Sequence, residues 1–160
     1  MLYYAIKACK ESKYDIECFI STEDEEIASL GKKLGAKIFL RKDNLANDQV
    51  FKQDVIADAI QNLFSDSKPD IVISLQPNSP EIKYFHIDQA IEIKRKFNKK
   101  EIFSVNTDLM QNGAFRIMDY DTVFLKTLSM YCGVYVCDLM DVHTFEDLKL
   151  VEKRMRNHND

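Results

Sequence analysis

The chain has few glycines and prolines and no excess of basic charge. Its 160 residues include four glycines and three prolines, so no glycine-rich or proline-rich linker divides it, and we expect a single domain over residues 1–160. Lysine and arginine total 22 against 26 aspartates and glutamates, which gives a formal net charge of −4. Proteins that bind nucleic acid need a basic surface to neutralise phosphates, so nucleic acid is not an expected partner.

Long apolar runs and closely spaced cysteines are absent as well. No run approaches the ~20 apolar residues that cross a bilayer, and the first residues, MLYYAIK, lack the charge, apolar core and cleavage site of a signal peptide. We therefore expect no membrane partner. The four cysteines, Cys9, Cys18, Cys132 and Cys137, have none of the close spacings of zinc sites. We interpret them as reduced thiols of a cytoplasmic protein.

Apolar, β-branched runs alternate with segments of helical period along the chain. Strands are predicted at 16–21, 37–40, 70–75, 101–105 and 130–137, and helices at 2–11, 23–34, 51–64, 87–97 and 145–155. This alternation is typical of parallel strands joined by crossover helices, so the predicted class is α/β. A doubly wound domain normally opens with a strand, whereas this chain opens with an amphipathic helix. We therefore expect that a strand is missing upstream.

Local signals mark the ends of the predicted helices. Thr22 precedes Glu25 by three residues and Thr144 precedes Asp147 by three, which is the spacing of a capping box at a helix start. Gly35 stands where a glycine in the left-handed conformation would end the second helix.

Three polar segments, 41–50, 77–84 and 106–113, form the long predicted loops. The first two follow predicted strands. Ligands of open α/β sheets bind beyond the carboxyl ends of the strands, so we expect a site at these two loops. Their position alone does not define a reaction.

Four motifs follow one another along the chain. They are STEDEEIA at 21–28, continued by GA at 35–36, LR at 40–41 and LAND at 45–48; LQPNSP at 75–80; NGA at 112–114; and DVHTFEDL at 141–148. In this order they resemble the acylneuraminate (CMP-sugar) cytidylyltransferases, whose corresponding runs include LQPTSP and DIDTEEDF. The resemblance implies a three-layer, Rossmann-like domain of the nucleotide-diphospho-sugar transferase type, with a mostly parallel sheet that is N-terminally short in this chain.

The resemblance also implies an activity. In that family the anomeric hydroxyl of a nine-carbon acid sugar attacks the α-phosphate of CTP with Mg²⁺ present, which gives a CMP-sugar and pyrophosphate. The expected partners are therefore CTP and a nonulosonic, sialic-acid-like acid, and the expected cofactor is Mg²⁺. Such chemistry depends on positioning and on charge neutralisation. Sialic, legionaminic, pseudaminic and octulosonic acids all stay open as substrates.

Five residues outside the metal motif take implied roles from the resemblance. Arg41 matches a family arginine beside the nucleotide, and its planar guanidinium suits base or phosphate oxygens. Gln76, Asn78 and Ser79 match the sugar-binding loop, and Asn112 belongs to the NGA motif, so all four are expected to bind substrate. Without the family, Arg41 would be interpreted as a solvated residue at a strand end, and the loop residues as ordinary turn formers.

Asp141 matches the first carboxylate of the family's DID run, which implies a catalytic residue that binds the metal. His143 replaces the second aspartate of that run and is the second candidate metal ligand. Magnesium prefers hard oxygen ligands, so the imidazole either weakens the site, binds through water or favours a softer metal. A histidine beside a helix start also often has a structural role alone.

The chain departs from the family pattern in three places. Its first residues match the helix that follows the family's ARGGSKR loop, so the strand and the loop that hold the CTP phosphates are expected to be missing. Glu81 stands where a cation is common, and Lys83 is a candidate substitute. The stretch between Val105 and Asp141 is short for the family's dimerisation extension, so we expect a homo-oligomer, a dimer, formed through another surface.

The leading hypothesis is a CMP-sugar synthetase homologue of a surface-glycan pathway, with weak or no activity in this chain alone. The alternative from another class is a non-catalytic α/β module that binds sugar or nucleotide, or that assembles with a complete paralogue. A phosphoacceptor receiver domain would need a lone aspartate after its third strand. Here Gln76, Pro77 and Asn78 follow that strand, which argues against a receiver domain.

Overall fold

The structure, a computed structural model, describes residues 1–47 and 49–157 as five helices and six strands in α/β order. Asp48, the last residue of the LAND motif, lies outside the described residues. The helices are α1 Leu2–Glu11, α2 Glu25–Lys33, α3 Lys52–Leu63, α4 Tyr84–Lys96 and α5 Phe145–Asn157. The strands are β1 Phe19–Thr22, β2 Lys37–Leu40, β3 Ile71–Leu75, β4 Glu101–Val105, β5 Gln111–Asp119 and β6 Cys132–Val136. Two short 3₁₀ turns cover Asp43–Leu45 and Tyr120–Phe124.

Four of the strands form one mixed sheet in the order β3-β5-β4-β6. Strand β5 runs antiparallel to both β3 and β4, and β6 runs parallel to β4. Strands β3, β4 and β6 therefore all point the same way, and their carboxyl ends lie at one edge of the sheet. The Rossmann-like α/β class with a mostly parallel sheet is confirmed, and β5 is the antiparallel exception within the described residues.

The sequence analysis missed strand β5 and assigned its first residues to a loop. Five of its nine residues are buried, in an irregular order rather than in strict alternation. Because adjacent buried residues point to opposite faces of the sheet, the period-two signal of a half-exposed strand is absent. The charged Arg116 in its middle interrupts the apolar run further.

Strands β1 and β2 form a separate parallel pair. Strands β1 and β3 do not pair with each other, so each has one edge without a strand within the described residues.

Helices cover both faces of the sheet and create a three-layer arrangement. On one face α1 and α4 pack together over β3, β4 and β5, with Ala8, Ile91 and Ile117 in the same buried cluster. On the other face Ile60 of α3 packs against Val72 of β3 in a second cluster. Among the described residues, no helix has the length and apolar character to span a bilayer.

One predicted helix cap is wrong and two are confirmed. Helix α2 is capped by Asp24, whose Oδ1 accepts from the Ile27 amide at 2.8 Å, because Asp24 rather than Thr22 is the residue directly before the first helical turn. Thr144 and Asp147 form the reciprocal capping box, with bonds of 3.1 and 2.8 Å. Gly35 has φ +80° and ends α2, since glycine adopts this conformation without a steric penalty.

Candidate functional site

A cavity of about 1030 Å³ lies between β1 and β3 and extends past the carboxyl ends of both strands. Most of its wall is apolar and comes from α1, α3, α4, β1 and β3. Polar lining side chains at the carboxyl ends of the strands are Ser21, Thr22, Glu23, Arg41, Ser74 and Gln76. Charged lining residues at the other end include Asp15, Glu17, Asp70 and Arg95. The first set lies at the edge where open α/β sheets bind ligands.

Arg41 follows β2 directly and reaches this cavity. Its backbone amide donates to the Thr22 carbonyl at 3.0 Å, which fixes the residue beside the end of β1. Its Nε donates to Glu23 Oε2 at 2.9 Å, and its side chain is 23% exposed. The guanidinium lowers the pKa of the exposed Glu23 carboxyl through this hydrogen bond. Arg41 is thus a cation that a partly exposed carboxylate holds at the cavity.

Glu23 is a site residue that the sequence analysis missed. It belongs to the STEDEEIA motif, but it lies 18 residues before Arg41 in the chain. The parallel pairing of β1 and β2 brings the two strand ends together. A carboxylate just after one strand and an arginine just after the next would have been the signal for this pair.

The loop after β3 connects the large cavity with a second polar cluster. The Gln76 amide donates to the Ala114 carbonyl at 2.9 Å, which attaches the loop to β5. Its side-chain amide makes no hydrogen bond within the described residues, and it lines both the large cavity and a smaller one of about 290 Å³. Ser79 is fully buried, and its Oγ has no partner among the described residues.

Asn78 and the Asp141 segment meet at the end of this loop. The Val142 amide donates to the Asn78 carbonyl at 2.8 Å. The side-chain Oδ1 atoms of Asn78 and Asp141 are both buried and lack a partner among the described residues. Buried polar atoms are normally hydrogen-bonded, so these two oxygens are candidate ligand-binding atoms.

Asp141 and His143 contact each other directly. Asp141 Oδ2 lies 2.8 Å from His143 Nε2, and the His143 side chain is 70% exposed. The His143 amide donates to Asp147 Oδ2 at 3.1 Å. Backbone donation from His143 and Thr144 lowers the pKa of Asp147. The capping box of α5 therefore fixes the backbone that carries His143.

The oxygen atoms around Asp141 suit a magnesium ion that is bound partly by water and phosphate, and not one that protein ligands enclose. Within residues 1–47 and 49–157, no group of three or more histidine, cysteine, aspartate or glutamate side chains could hold a metal. Asp141 offers one buried free oxygen, and Asn78 offers an amide oxygen on the adjoining loop. Magnesium typically keeps several waters and uses one or two carboxylates together with substrate phosphates. Asp141 supplies one such carboxylate, and Asn78 adds an amide oxygen.

Asn112 is fully engaged within the chain. Its Nδ2 donates to the Cys137 carbonyl at 2.6 Å and to Asn106 Oδ1 at 3.1 Å. Its Oδ1 accepts from the Ala114 amide at 3.2 Å. These bonds tie the start of β5 to the end of β6. A substrate contact by Asn112 stays a prediction, and its observed contacts position the strands.

Glu81, the acid found where a cation was expected, positions the Asp141 segment. Its Oε2 accepts from the Met140 amide at 3.0 Å, and its Oε1 pairs with Arg154 Nε at 2.9 Å. Its side chain is nearly buried. Lys83, the candidate substitute, is exposed. Glu81 therefore holds the residue before Asp141, a role that the sequence did not indicate.

Together, these observations define a three-layer α/β domain whose candidate site residues follow the carboxyl ends of its strands. Arg41 and Gln76 share the large cavity, while Asn78 adjoins the Asp141 segment. Residues 1–130 match the family model described as "Cytidylyltransferase". The chain belongs to this cytidylyltransferase family.

Two similar proteins match parts of this chain in sequence. The chain is 39% identical over 61 residues to CMP-N,N'-diacetyllegionaminic acid synthase of Campylobacter jejuni subsp. jejuni serotype O:2, covering 38% of this chain and 26% of that protein. It is 32% identical over 94 residues to 3-deoxy-manno-octulosonate cytidylyltransferase of Francisella tularensis subsp. tularensis, covering 58% and 35%. The matches thus span about a quarter to a third of these relatives.

A solved structure shares the fold. CMP:2-keto-3-deoxy-manno-octonic acid synthetase complexed with CTP superposes with a TM-score of 0.73 at 13% identity, covering 98% of this chain and 88% of that one. At this identity the likeness establishes the architecture alone. It supports the three-layer order of helices and sheet.

Proposed function

We propose that this chain carries the sugar-binding and metal-binding side of an enzyme that forms a CMP-sugar from CTP and a nonulosonic acid, with release of pyrophosphate. The observation that carries this proposal is the loop after β3. It begins with Gln76 in the large cavity and reaches Asn78 beside the Asp141 segment. A nucleotide in the cavity and a metal at Asp141 would therefore lie at opposite ends of one short loop.

The side chains suit separate tasks in this reaction. Arg41 is positioned to exchange Glu23 for an oxygen of the nucleotide, since both partners are partly exposed. Gln76 offers an uncommitted amide that can orient a hydroxyl or carboxylate of the sugar. Asp141, with Asn78 beside it, would hold Mg²⁺ through its buried free oxygen. Bound Mg²⁺ supplies charge neutralisation at phosphate oxygens.

The choice of a nonulosonic acid rests on the relatives and on the acidity of the sugar. The named relatives include one enzyme for a legionaminic acid and one for an octulosonic acid. Glu81 is committed to Arg154, so it does not supply a charge to the substrate. Exposed Lys83 is the nearby cation in the same loop. We assign it the contact with the carboxylate of the sugar.

We also place the protein in the cytoplasm as a homodimer that supplies activated sugar for surface glycans. All four cysteines are free thiols in the structure, which suits a reducing compartment. Size-exclusion chromatography with light scattering tests the dimer, and a monomer at micromolar concentration would contradict it.

An assay of CTP-dependent pyrophosphate release tests the activity. The enzyme, extended by an N-terminal strand and phosphate loop, is incubated with Mg²⁺ and with diacetyllegionaminic, acetylneuraminic or deoxyoctulosonic acid. We expect release with a nonulosonic acid and less with the octulosonic acid. Preference for the octulosonic acid would overturn the sugar assignment, and no release with any acid would overturn the activity.

A non-catalytic binding module is the second candidate function. The open edges of β1 and β3 favour it, because the large cavity is not closed by strands within the described residues. Calorimetric binding of CTP or of an acid sugar without pyrophosphate release by the extended chain would support this module over the enzyme.

A further inference from the structure

Two of the four thiols lie together beside the large cavity. Cys9 is in the last turn of α1, and Cys18 directly precedes β1. Both residues line the cavity of about 1030 Å³. Cys9 is buried, Cys18 is half-buried, and both are free thiols. Residues 10–17 separate them in sequence, so tertiary packing, and not a shared helical turn, brings the two side chains together.

Packing from two directions places Cys18 against α1. Cys18 packs against two buried clusters, and α1 contributes Ile6 to one of them and Cys9 to the other. The Lys37 amide donates to the Cys18 carbonyl at 2.9 Å, which fixes the Cys18 backbone at the start of the β1-β2 ladder. The thiols of Cys9 and Cys18 are hydrogen-bonded to each other. The two sulfurs are therefore neighbours in the reduced protein.

The two thiols differ in acidity. The hydrogen bond with Cys18, together with burial, raises the pKa of the Cys9 thiol. The same hydrogen bond lowers the pKa of the Cys18 thiol, an effect that burial opposes and that the charge of Lys10 supports. Cys9 is thus the S–H donor, and Cys18 is the acceptor with thiolate character. Because the thiolate is the reactive form of cysteine, Cys18 is the nucleophile of the pair.

The other two thiols are far from each other. Cys132 is the first residue of β6, and Cys137 directly follows its last residue. Five steps along a strand cover about 16 Å, whereas a disulfide needs Cα atoms within about 7 Å of each other. Burial raises the pKa of the Cys137 thiol to about 11, which suppresses its reactivity. Cys9 and Cys18 therefore differ from this second pair in both spacing and chemistry.

We propose that Cys9 and Cys18 are a modification site, a dithiol that a small hydroperoxide oxidises to a disulfide within the chain. In the first step the Cys18 sulfur attacks one oxygen of hydrogen peroxide, the O–O bond breaks, and hydroxide leaves, which gives a sulfenic acid. In the second step the Cys9 sulfur attacks the Cys18 sulfur, the S–O bond breaks, and the hydroxyl leaves as water with the proton of Cys9. Two thiols and one peroxide thus give one disulfide and two waters.

The disulfide would join the end of α1 to the start of β1. In the reduced chain this end of α1 is held by noncovalent contacts, such as the bond of 2.7 Å from Lys10 Nζ to the Leu34 carbonyl. A covalent link restricts the unfolded chain as well, so the oxidised protein should be the more stable form. Arg41 and Gln76 follow strands at the carboxyl end of the cavity, so this sulfur chemistry is separate from the candidate site.

Peptide mapping after peroxide treatment tests the pair. A chain with Cys132→Ser and Cys137→Ser keeps only Cys9 and Cys18, and the matched control with Cys9→Ser and Cys18→Ser keeps only the other two. Each folded chain is treated with hydrogen peroxide, its remaining thiols are alkylated in urea, and it is digested with trypsin. In the first chain we expect loss of both thiols and a linked product of peptides 8–10 and 14–32, which dithiothreitol separates. In the control we expect no crosslink within the chain.

Two further variants of the first chain separate the roles of the sulfurs. With Cys9→Ser, oxidation should stop at the sulfenic acid of Cys18, which dimedone traps. With Cys18→Ser, the dimedone adduct should form at least ~10-fold more slowly, because the remaining Cys9 thiol is buried and protonated. Circular dichroism verifies that both variants are folded. In the first chain itself, oxidation should raise the urea midpoint of unfolding.

Four results would overturn the proposal. They are absence of the linked peptides after oxidation of the folded chain, dimedone labelling of Cys9 as fast as that of Cys18, crosslinks between chains that rise with protein concentration, and an oxidised chain that is no more stable than the reduced one. No readout involves CTP or a sugar. Failure of the enzymatic proposal would therefore leave this test unaffected.

Discussion

The four-stranded sheet and the β1-β2 pair differ in how completely they are buried. Four of the five residues of β4 are buried, whereas none of the four residues of β2 is. The larger sheet carries the Asp141 and Asn78 cluster, and the smaller pair carries Arg41 and Glu23. The proposed metal site therefore lies on the well-packed four-stranded sheet, and the proposed nucleotide site lies on the β1-β2 pair beside the open cavity.

The largest expected effect comes from Glu101 in the larger sheet. Its carboxylate is fully buried, pairs with Arg116 and accepts from the Ser129 amide at 2.5 Å. Removing one partner of a buried pair typically costs about 3–5 kcal/mol, so Glu101→Ala should lower the free energy of unfolding by that order. Glu17→Ala, which breaks the exposed pair with Lys37, is the matched control, with little effect expected. Similar urea midpoints for the two variants would contradict the difference between the regions.

The next effect concerns catalysis by the N-terminally extended enzyme. Asp141→Asn should reduce kcat by about 100-fold or more, as expected when a group that offsets transition-state charge is lost. His143→Ala should have a smaller effect or change the metal preference, because water can replace an imidazole. Rates are measured across magnesium and manganese titrations. A rate near the parent value in Asp141→Asn would show that the metal is bound elsewhere.

A smaller effect is expected at Arg41 on the other half of the site. Arg41→Lys keeps the charge but loses the planar fork, so the Kd for CTP should rise by about 10-fold, within the range for charge-assisted hydrogen bonds. Glu23→Gln should lower that Kd, since it frees the guanidinium from its partner. Calorimetry on both variants measures these changes. Unchanged CTP affinity in both would remove Arg41 from the nucleotide site.

The fourth effect is a pH dependence of the free energy of unfolding at His86. Burial, with a further contribution from the charge of Lys83, lowers the pKa of His86 to about 4, whereas the unfolded value is about 6.5. The unfolded chain therefore binds more protons between these values, so stability should fall as pH falls from about 6.5 toward 4. His86→Gln should flatten this slope in urea titrations. An unchanged slope in His86→Gln would exclude His86 as the cause.

Much of the fold could be predicted because its signals are local. Helix α1 has the predicted bounds, since its apolar residues recur with helical spacing. The start of α2 was wrong because Thr22 and Asp24 are both good capping residues, and only the backbone conformation at Asp24 decides between them. Strand β5 was missed because burial on both faces removes the alternating pattern.

The site was less predictable because its partners are distant in sequence. Arg41 and Asp141 could be named from motifs, but the pairing of Glu81 with Arg154 joins residues that no local pattern connects. The internal bonds of Asn112 likewise depend on the pairing of β4 with both β5 and β6. Motifs indicate which residues matter, and tertiary pairing decides what each one contacts.

The steady-state rate of CTP-dependent pyrophosphate release, with and without an added N-terminal strand and phosphate loop, tests the central claim most directly. If the open half is completed by such a strand, the extended chain should turn over at about 1 per second or faster, as enzymes typically do. The chain alone should show weak release or none, because its cavity between β1 and β3 remains open. Equal, enzyme-like rates for the two proteins would contradict the account.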